Sequence, residues 1–129
     1  MAERRLTLVA LSVSDLGRSV EFYRDLIGLP LHEATHDAEK QDPWYGGDHA
    51  AYSWTDGAFI HFALYPHREP ERPVATAAQV GFHVEDLDTV HQRVLASGVT
   101  VASEPRSEPW GKTARYIDPD GNIVSISDS

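Results

Sequence analysis

Residues 8–15 read LVALSVSD, and the same pattern returns at residues 79–86 as QVGFHVED. In both copies apolar side chains occupy alternate positions, as in a β-strand with one buried face, and an Asp ends the run. Repetition of a whole pattern within one chain indicates two copies of the same structural unit. We therefore expect both halves of the chain to show the same order of strands and helices.

A helix is predicted directly after each of these strands. Asp15 is a good N-cap, and Gly28 supplies the stop signal for the first helix. Asp86 and Gly98 repeat these signals for the second helix. An apolar stripe follows each N-cap, namely Leu16, Ser19, Val20, Tyr23, Leu26 and Ile27 in the first copy and Leu87, Val90 and Val94 in the second, with His91 as a further candidate for the second stripe.

Short runs typical of strands follow each helix and are separated by Pro and Gly turns. The predicted strands are residues 29–34, 50–54 and 58–64 in the first copy and residues 99–102, 113–117 and 123–127 in the second. The stretch between the copies contains three prolines and several charges, which is typical of a linker. We therefore predict an α+β fold in a single domain of residues 1–129, built from a βαβββ module at about 5–65, a linker at about 66–78 and a second βαβββ module at about 79–128.

The composition limits the partners of the chain. Among 129 residues, 20 Asp and Glu outnumber 11 Lys and Arg, and the formal net charge is −9. Such a surface repels phosphate backbones and anionic membranes, so we expect neither nucleic acid nor a membrane as a partner. The absence of cysteine excludes disulfides and thiolate metal sites. Because no apolar run is long enough to span a bilayer and the first residues do not read as a secretory signal, we expect a cytoplasmic protein.

Several short motifs occur in the order that is found in one known family. They are residues 8–16 leading to Phe22-Tyr23, then Gly28-Leu29, Trp110-Gly111 and the turn Asp118-Pro119-Asp120-Gly121-Asn122. Together they resemble the vicinal oxygen chelate superfamily of glyoxalases, bleomycin resistance proteins and extradiol dioxygenases. The resemblance implies a cupped, partly open mixed β-sheet barrel with helices on the outside and a small-molecule cavity inside. It also implies a homodimer.

Strand alternation predicts which side chains face that cavity, because the bulky branched positions must pack on the helices. In the first strand Val9, Leu11 and Val13 belong to the helix side. The same rule turns the following residues to the cavity: Leu8, Ala10, Ser12, Phe59, His61, Ala63, Gln79, Gly81, His83, Ile123, Ser125 and Ser127. Small residues leave volume there and polar residues offer hydrogen bonds, which is the mixture expected of a ligand pocket.

Metal-dependent members of the resembled family hold a divalent cation with one ligand on each of four strands. The resemblance implies that the four ligand positions correspond to Leu8, His61, Gln79 and Ser125 in this chain. Leu8 has no donor atom, and the neutral hydroxyl of Ser125 is a poor ligand for a hard cation. One imidazole and one amide are fewer than the three or so protein ligands of a catalytic metal site. We therefore expect no bound metal and no other cofactor.

Aromatic residues in loops favour stacking on a flat ligand, and Trp44, Tyr45 and Trp110 are the candidates. For Trp54 the sequence favours ligand contact and packing at the end of the barrel equally. Residues 36–48 form a long polar loop that would suit a lid, and its acidic residues would favour a neutral or cationic guest. The remaining histidines are expected at the surface, namely His32, His36, His49, His67 and His91.

These expectations favour a metal-free binding protein of the bleomycin resistance type, which sequesters a flat aromatic natural product or antibiotic in a cavity of the dimer. The expected ligand contacts are Trp44, Tyr45, Phe59, His61, Gln79, His83, Trp110 and Ser125. No catalytic residue is predicted, because His61 has no second titratable group beside it on the inner face. The alternatives are a metal-dependent glyoxalase-like lyase or isomerase, an extradiol ring-cleaving dioxygenase, a metal-free enzyme with His61 as the base, and a scaffold whose cavity would be filled.

Overall fold

The computed structural model describes residues 3–36 and 47–129. Its elements follow the predicted order twice. The first set is β1 (Leu8–Val13), α1 (Leu16–Val20), a π-helical segment (Glu21–Leu26), β2 (His32–His36), β3 (Gly47–Trp54) and β4 (Ile60–Pro66). The second set is β5 (Gln79–His83), α2 (Leu87–Ser97), β6 (Val101–Glu108), β7 (Gly111–Ile117) and β8 (Ile123–Ser127).

The strands form two four-stranded mixed sheets of identical topology. The strand orders are β1-β4-β3-β2 and β5-β8-β7-β6. In each sheet the first and last strands of the set pair in parallel, and the other neighbours are antiparallel. The repeated βαβββ order and the mixed sheets confirm the predicted α+β fold class.

Each sheet belongs to one of two compact units. The first unit comprises residues 1–20 and 30–74, and the second comprises residues 21–29 and 75–129. The π-helical segment therefore packs within the second unit, where the Tyr23 ring lies edge-on to Phe82 at 6.3 Å between centroids. The core of the second unit contains the fully buried side chains Tyr23, Ile27, Val90, Val94, Tyr116, Val124 and Ile126.

The first helix departs from the regular α-helix that the stripe predicted. It begins as expected, because Asp15 Oδ1 accepts a hydrogen bond from the Arg18 main-chain N–H at 3.0 Å. From Glu21 onward the turns widen, and Ile27 N–H donates to the Phe22 carbonyl five residues earlier at 3.0 Å. The wider turn buries two adjacent side chains, Phe22 and Tyr23. Tyr23 belongs to the predicted stripe, whereas Phe22 does not.

The turn Asp118-Pro119-Asp120-Gly121-Asn122 is a hydrogen-bonded junction inside the second unit. The buried Asp118 carboxylate accepts hydrogen bonds from the Tyr23 hydroxyl at 2.6 Å and from the Asn122 main-chain N–H at 2.9 Å. The Asn122 side-chain amide donates to the Ala75 carbonyl and accepts from Ala78 N–H. The junction therefore links the loop between β7 and β8 to the helix and to the segment preceding β5.

Five of the six strands predicted after the helices have bounds that differ from the prediction, and the start of β2 and the end of β6 differ for clear physical reasons. The strand predicted from Leu29 begins only at His32, since Leu29 and Leu31 are buried as core residues before it. β6 extends through Pro105 to Glu108, although the sequence analysis expects prolines in this half to mark turns between strands. Register shifts in the β6 and β7 pairing accommodate the proline, which lacks the N–H that a regular ladder requires.

In the described ranges, no helix is both long enough and apolar enough to cross a membrane.

Candidate functional site

The first sheet has a helix face and an opposite face, and alternate residues follow this division. Val9, Leu11 and Val13 lie on the helix face. The opposite face carries three cross-strand rows, which are Leu8 with His61 and Ser53, Ala10 with Ala63 and Ala51, and Ser12 with Tyr65 and His49. The predicted site residue His61 therefore lies on the opposite face, as strand alternation implied.

His61 takes part in a polar pair on this face. Its Nδ1 lies 2.7 Å from Ser53 Oγ on the neighbouring strand. Burial, reinforced by the nearby His49, lowers the pKa of His61, so the neutral imidazole is favoured. A neutral ring offers one hydrogen-bond donor and one acceptor, and Ser53 occupies one of them. The pair is therefore suited to orienting a polar group of a ligand.

Apolar surface is exposed near His61. Phe59, which precedes β4, is 47% exposed, and Leu8 at the start of β1 is 39% exposed. Solvent exposure of large apolar side chains costs free energy, and contact with an apolar ligand or a partner removes that cost. Ala63, expected to line the cavity, is instead fully buried between Ala10 and Ala51 on the central strand of the first unit.

The opposite face of the second sheet holds three of the predicted site residues. Gln79 and His83 are exposed there at the two ends of β5, and Ser125 lies in the middle of β8. Ser125 Oγ donates a hydrogen bond to the Val80 carbonyl at 3.4 Å. Gly81 leaves room beside it, because a Cβ at this position would stand 2.9 Å from Ser125 Oγ and would force that hydroxyl to rotate. His83 Nδ1 lies 2.8 Å from the main-chain oxygen of Ser129.

The sequence reasoning missed a cation on this face. Arg115 on β7 is paired in register with Ser125 on one side and Ser103 on the other. It is half-buried, whereas its neighbours Ala114 and Tyr116 point to the helix face and are fully buried. Strand alternation within residues 113–117 would have found it, because the apolar positions of that strand already define its helix face.

Trp110 is presented at the turn between β6 and β7. Its side chain is 57% exposed, and its indole Nε1–H donates to Thr113 Oγ1 at 3.2 Å. One hydrogen bond orients the ring while most of its surface stays accessible, which is a suitable state for stacking on a flat ligand. The other predicted rings, Trp44 and Tyr45, lie outside the described residues. Trp54 is half-buried and packs edge-on against Tyr52, with ring centroids 5.1 Å apart.

Two histidines that were expected at the surface are buried, so that prediction was wrong. His49 stacks on Tyr65 with ring centroids 5.4 Å apart. His91 lies on the buried stripe of α2, where Nδ1 is 2.9 Å from the Tyr116 hydroxyl and Nε2 is 2.8 Å from a Glu104 carboxylate oxygen. Both rings find aromatic or polar partners, which removes the cost of burying an imidazole. His32 and His67 are exposed, as predicted.

The residues at the four family metal positions do not fit a divalent cation. Leu8 is a hydrocarbon, and the Ser125 hydroxyl donates its proton to a main-chain carbonyl. Within residues 3–36 and 47–129, no three His, Cys, Asp or Glu side chains come together in a way that could hold a metal ion. Hard and borderline cations require more negative or imidazole donors than His61 and Gln79 supply.

Two enzymes are among the known proteins to which the chain is similar in sequence. The chain is 29% identical over 124 residues to the glutathione transferase FosA of Serratia marcescens, and the match covers 94% of this chain and 78% of that protein. It is 27% identical over 128 residues to a lactoylglutathione lyase of Haemophilus influenzae, covering 90% of this chain and 86% of the enzyme.

A solved structure and a family model extend the comparison. TnmS3, an antibiotic-binding protein from Streptomyces sp. CB03234, superposes with a TM-score of 0.66 at 24% identity, covering 98% of this chain and 97% of that one. This likeness shows the shared fold. The family model matches residues 5–126, which is nearly the whole chain. The protein therefore belongs to the Glyoxalase/Bleomycin resistance protein/Dioxygenase superfamily.

Proposed function

We propose that this protein binds and sequesters a flat aromatic small molecule, such as a natural product or antibiotic, without breaking bonds in it. The observation that carries the proposal is the donor set at the family metal positions. Leu8 and Ser125 stand where the metal-dependent chemistry of the family needs ligands, and Ser125 is already engaged with the Val80 carbonyl. A binding role needs only shape, stacking and hydrogen bonds.

Exposed aromatic and polar groups support an aromatic ligand. Trp110 presents most of its ring, and Phe59 is nearly half exposed. TnmS3, which shares the fold, is described as antibiotic-binding. We propose that the ligand contacts come from Trp44, Tyr45, Phe59, His61, Gln79, His83, Trp110 and Ser125. We further propose that the protein works as a cytoplasmic homodimer, with one cavity built by residues of both copies.

A metal-dependent enzyme is the second candidate. The names of FosA and of the lactoylglutathione lyase favour it, because both proteins act on glutathione or a glutathione adduct. The donor set opposes it, since only His61 and Gln79 retain side chains that can ligate a cation. The two functions therefore differ first in whether the protein takes up metal.

Elemental mass spectrometry of protein purified without chelator separates the candidates. The measurement is repeated after incubation with nickel, zinc, manganese and ferrous iron. We expect less than one tenth of an equivalent of any metal, about the level of adventitious binding. A stoichiometric metal would overturn the proposal and lead to assays of a methylglyoxal-glutathione adduct and of catechol cleavage.

Ligand binding is then tested by titrating aromatic antibiotics and following tryptophan fluorescence. We expect saturable quenching that falls strongly in Trp110→Phe and persists in the control Trp54→Phe, whose ring packs against Tyr52. Equal quenching in both variants would remove Trp110 from the site. Sedimentation of the protein with and without ligand determines whether it is a dimer.

A further inference from the structure

Arg72 is a buried cation at the end of a tight turn in the first unit. Only 7% of its surface is exposed. The turn of residues 68–72 is closed by two main-chain hydrogen bonds, from Arg68 N–H to the Arg72 carbonyl at 2.8 Å and from Arg72 N–H to the Arg68 carbonyl at 2.6 Å. The backbone of Arg72 is therefore held in place while its side chain points into the unit.

The guanidinium lies over an aromatic column on the opposite face of the first sheet. Its Cζ is 5.2 Å from the centroid of the Tyr65 ring, and the His49 ring stacks on Tyr65. A cation over a ring is attracted by the negative π face. This contact engages the flat face of the guanidinium, whereas its N–H groups lie in the guanidinium plane and need acceptors of their own.

Two of those N–H-bearing nitrogens have no hydrogen-bond partner. Arg72 Nε and Nη1 are both shielded from solvent, and neither meets an acceptor in the part of the chain that the structure describes. A buried, unsatisfied charged donor is strongly unfavourable, because water can no longer solvate it. The acidic residues of the same turn, Glu69 and Glu71, are exposed, and neither accepts a hydrogen bond from Arg72 Nε or Nη1. Within residues 3–36 and 47–129, no group accepts a hydrogen bond from either of these two nitrogens.

We propose that Arg72 is the anchor of an oxyanion-binding site, with Tyr65 and His49 forming its aromatic wall. The ligand group is a carboxylate or a phosphate, because each supplies several oxygen acceptors to a planar guanidinium. Both nitrogens are shielded, so binding of the anion requires the turn of residues 68–72 to open at the expense of its two main-chain hydrogen bonds. The net charge of −9 repels anions at long range, and the local guanidinium provides the attraction.

This inference goes beyond the proposed function, since it concerns an anion and can be tested without any aromatic antibiotic. Thermal unfolding of the full chain is followed in sodium chloride, sodium phosphate and sodium benzoate at equal ionic strength. An anion that binds only the folded state raises the folding equilibrium constant about 100-fold when its free concentration is about 100 times Kd. We expect phosphate, benzoate or both to raise the unfolding temperature above that in chloride.

Matched variants locate the effect. Arg68→Met removes the same charge from an exposed position of the same turn, and we expect it to keep the response. Arg72→Met should abolish it, and Arg72→Lys, which keeps the charge but loses the planar fork, should weaken apparent affinity at least about tenfold. A response to benzoate alone assigns a carboxylate, and a response to phosphate alone assigns a phosphate.

An independent signal covers the case in which Arg72→Met fails to fold. In the unsubstituted protein the 1H–15N resonance of Arg72 Nε, assigned by its loss in Arg72→Lys, should shift on addition of the effective anion. Anion responses of equal size in the parent and in Arg72→Lys, or an Nε resonance that does not move at saturating phosphate and benzoate, would overturn the proposal. Failure of antibiotic binding would leave it untouched.

Discussion

Replacement of Tyr23 by Phe tests the hydrogen-bonded junction at Asp118. Tyr23 is fully buried, and its hydroxyl donates to Asp118 Oδ2 at 2.6 Å. Burial and the adjacent carboxylate raise the pKa of Tyr23 well above its ordinary value. The hydroxyl therefore stays protonated around pH 7 and donates its hydrogen bond. Tyr23→Phe keeps the ring and its edge-on packing on Phe82 and removes only the hydroxyl.

The size of the effect follows from the partners that remain. Asp118 keeps hydrogen bonds from the main-chain N–H groups of Asp120 and Asn122 and from the Asn122 amide, so the carboxylate is not left unpaired. The loss is then that of one hydrogen bond to a charged group, about 1.5–3 kcal/mol. With an unfolding entropy of ~2.1 cal/mol/K per residue, 129 residues give ~0.27 kcal/mol/K, and a loss of ~2 kcal/mol lowers Tm by about 7 °C.

Urea denaturation and differential scanning calorimetry at pH 7 measure this loss. The matched control is Tyr116→Phe, because Tyr116 is equally buried but its hydroxyl meets the His91 imidazole and no carboxylate. We expect the control to lose only about 1 kcal/mol. A loss below about 0.5 kcal/mol in Tyr23→Phe, or one no larger than in the control, would refute the reasoning that the hydroxyl stabilises a buried charge.

Three further predictions concern pH and metal. Burial raises the pKa of Tyr116 to about 12, above the value of about 10 in the unfolded chain. The contribution of the protonated phenol to folding stability is therefore complete below about pH 10 and is lost as the pH rises toward 12. In urea titrations across this range, Tyr116→Phe should lose less stability than the parent protein. Burial lowers the pKa of His61 in the folded protein. The contribution of the neutral imidazole to folding stability is therefore present above about pH 6.5 and is lost as the pH falls. In the same assay, His61→Gln should lose less stability between pH 7 and pH 5 than the parent protein. The double variant Leu8→His with Ser125→Glu should bind nickel by isothermal titration while the parent does not, and equal uptake by both would contradict the assignment of these positions.

Local signals in the sequence predicted the fold class well. The alternation in residues 8–15 and 79–86 depends only on which side chains avoid water, and it recurs in both sheets. The N-cap at Asp15 and the left-handed glycines Gly28 and Gly98 are equally local, and each ends or begins a helix as expected. These features could be predicted because neighbours in the chain determine them.

Features that depend on distant partners could not be predicted. The π-helical turn arises where Phe22 and Tyr23 both find burial in the second unit, which no helical period reveals. His49 and His91 looked like surface residues because their stabilising partners, Tyr65 and Tyr116, lie on other strands.

The candidate site was only partly predictable for the same reason. Alternation placed His61, Gln79, His83 and Ser125 on the faces opposite the helices. Arg72 was missed because the prolines and charges around it are typical of an exposed linker. Its side chain is directed inward only by the hydrogen-bonded turn of residues 68–72, which the sequence does not reveal.

Residues 21–29 belong to the second unit although they precede the linker in the chain, which limits where recombination could divide the gene. The sequence repeat indicates two copies of one structural unit, yet residues 21–29 of the first copy belong to the second compact unit. A recombination event near residue 75 would separate Tyr23 from Asp118 and strip the second sheet of its Phe22, Tyr23 and Ile27 cover. A shuffled gene would have to carry residues 21–29 together with the strands that they cover, so a crossover at the linker is expected to destabilise the second unit.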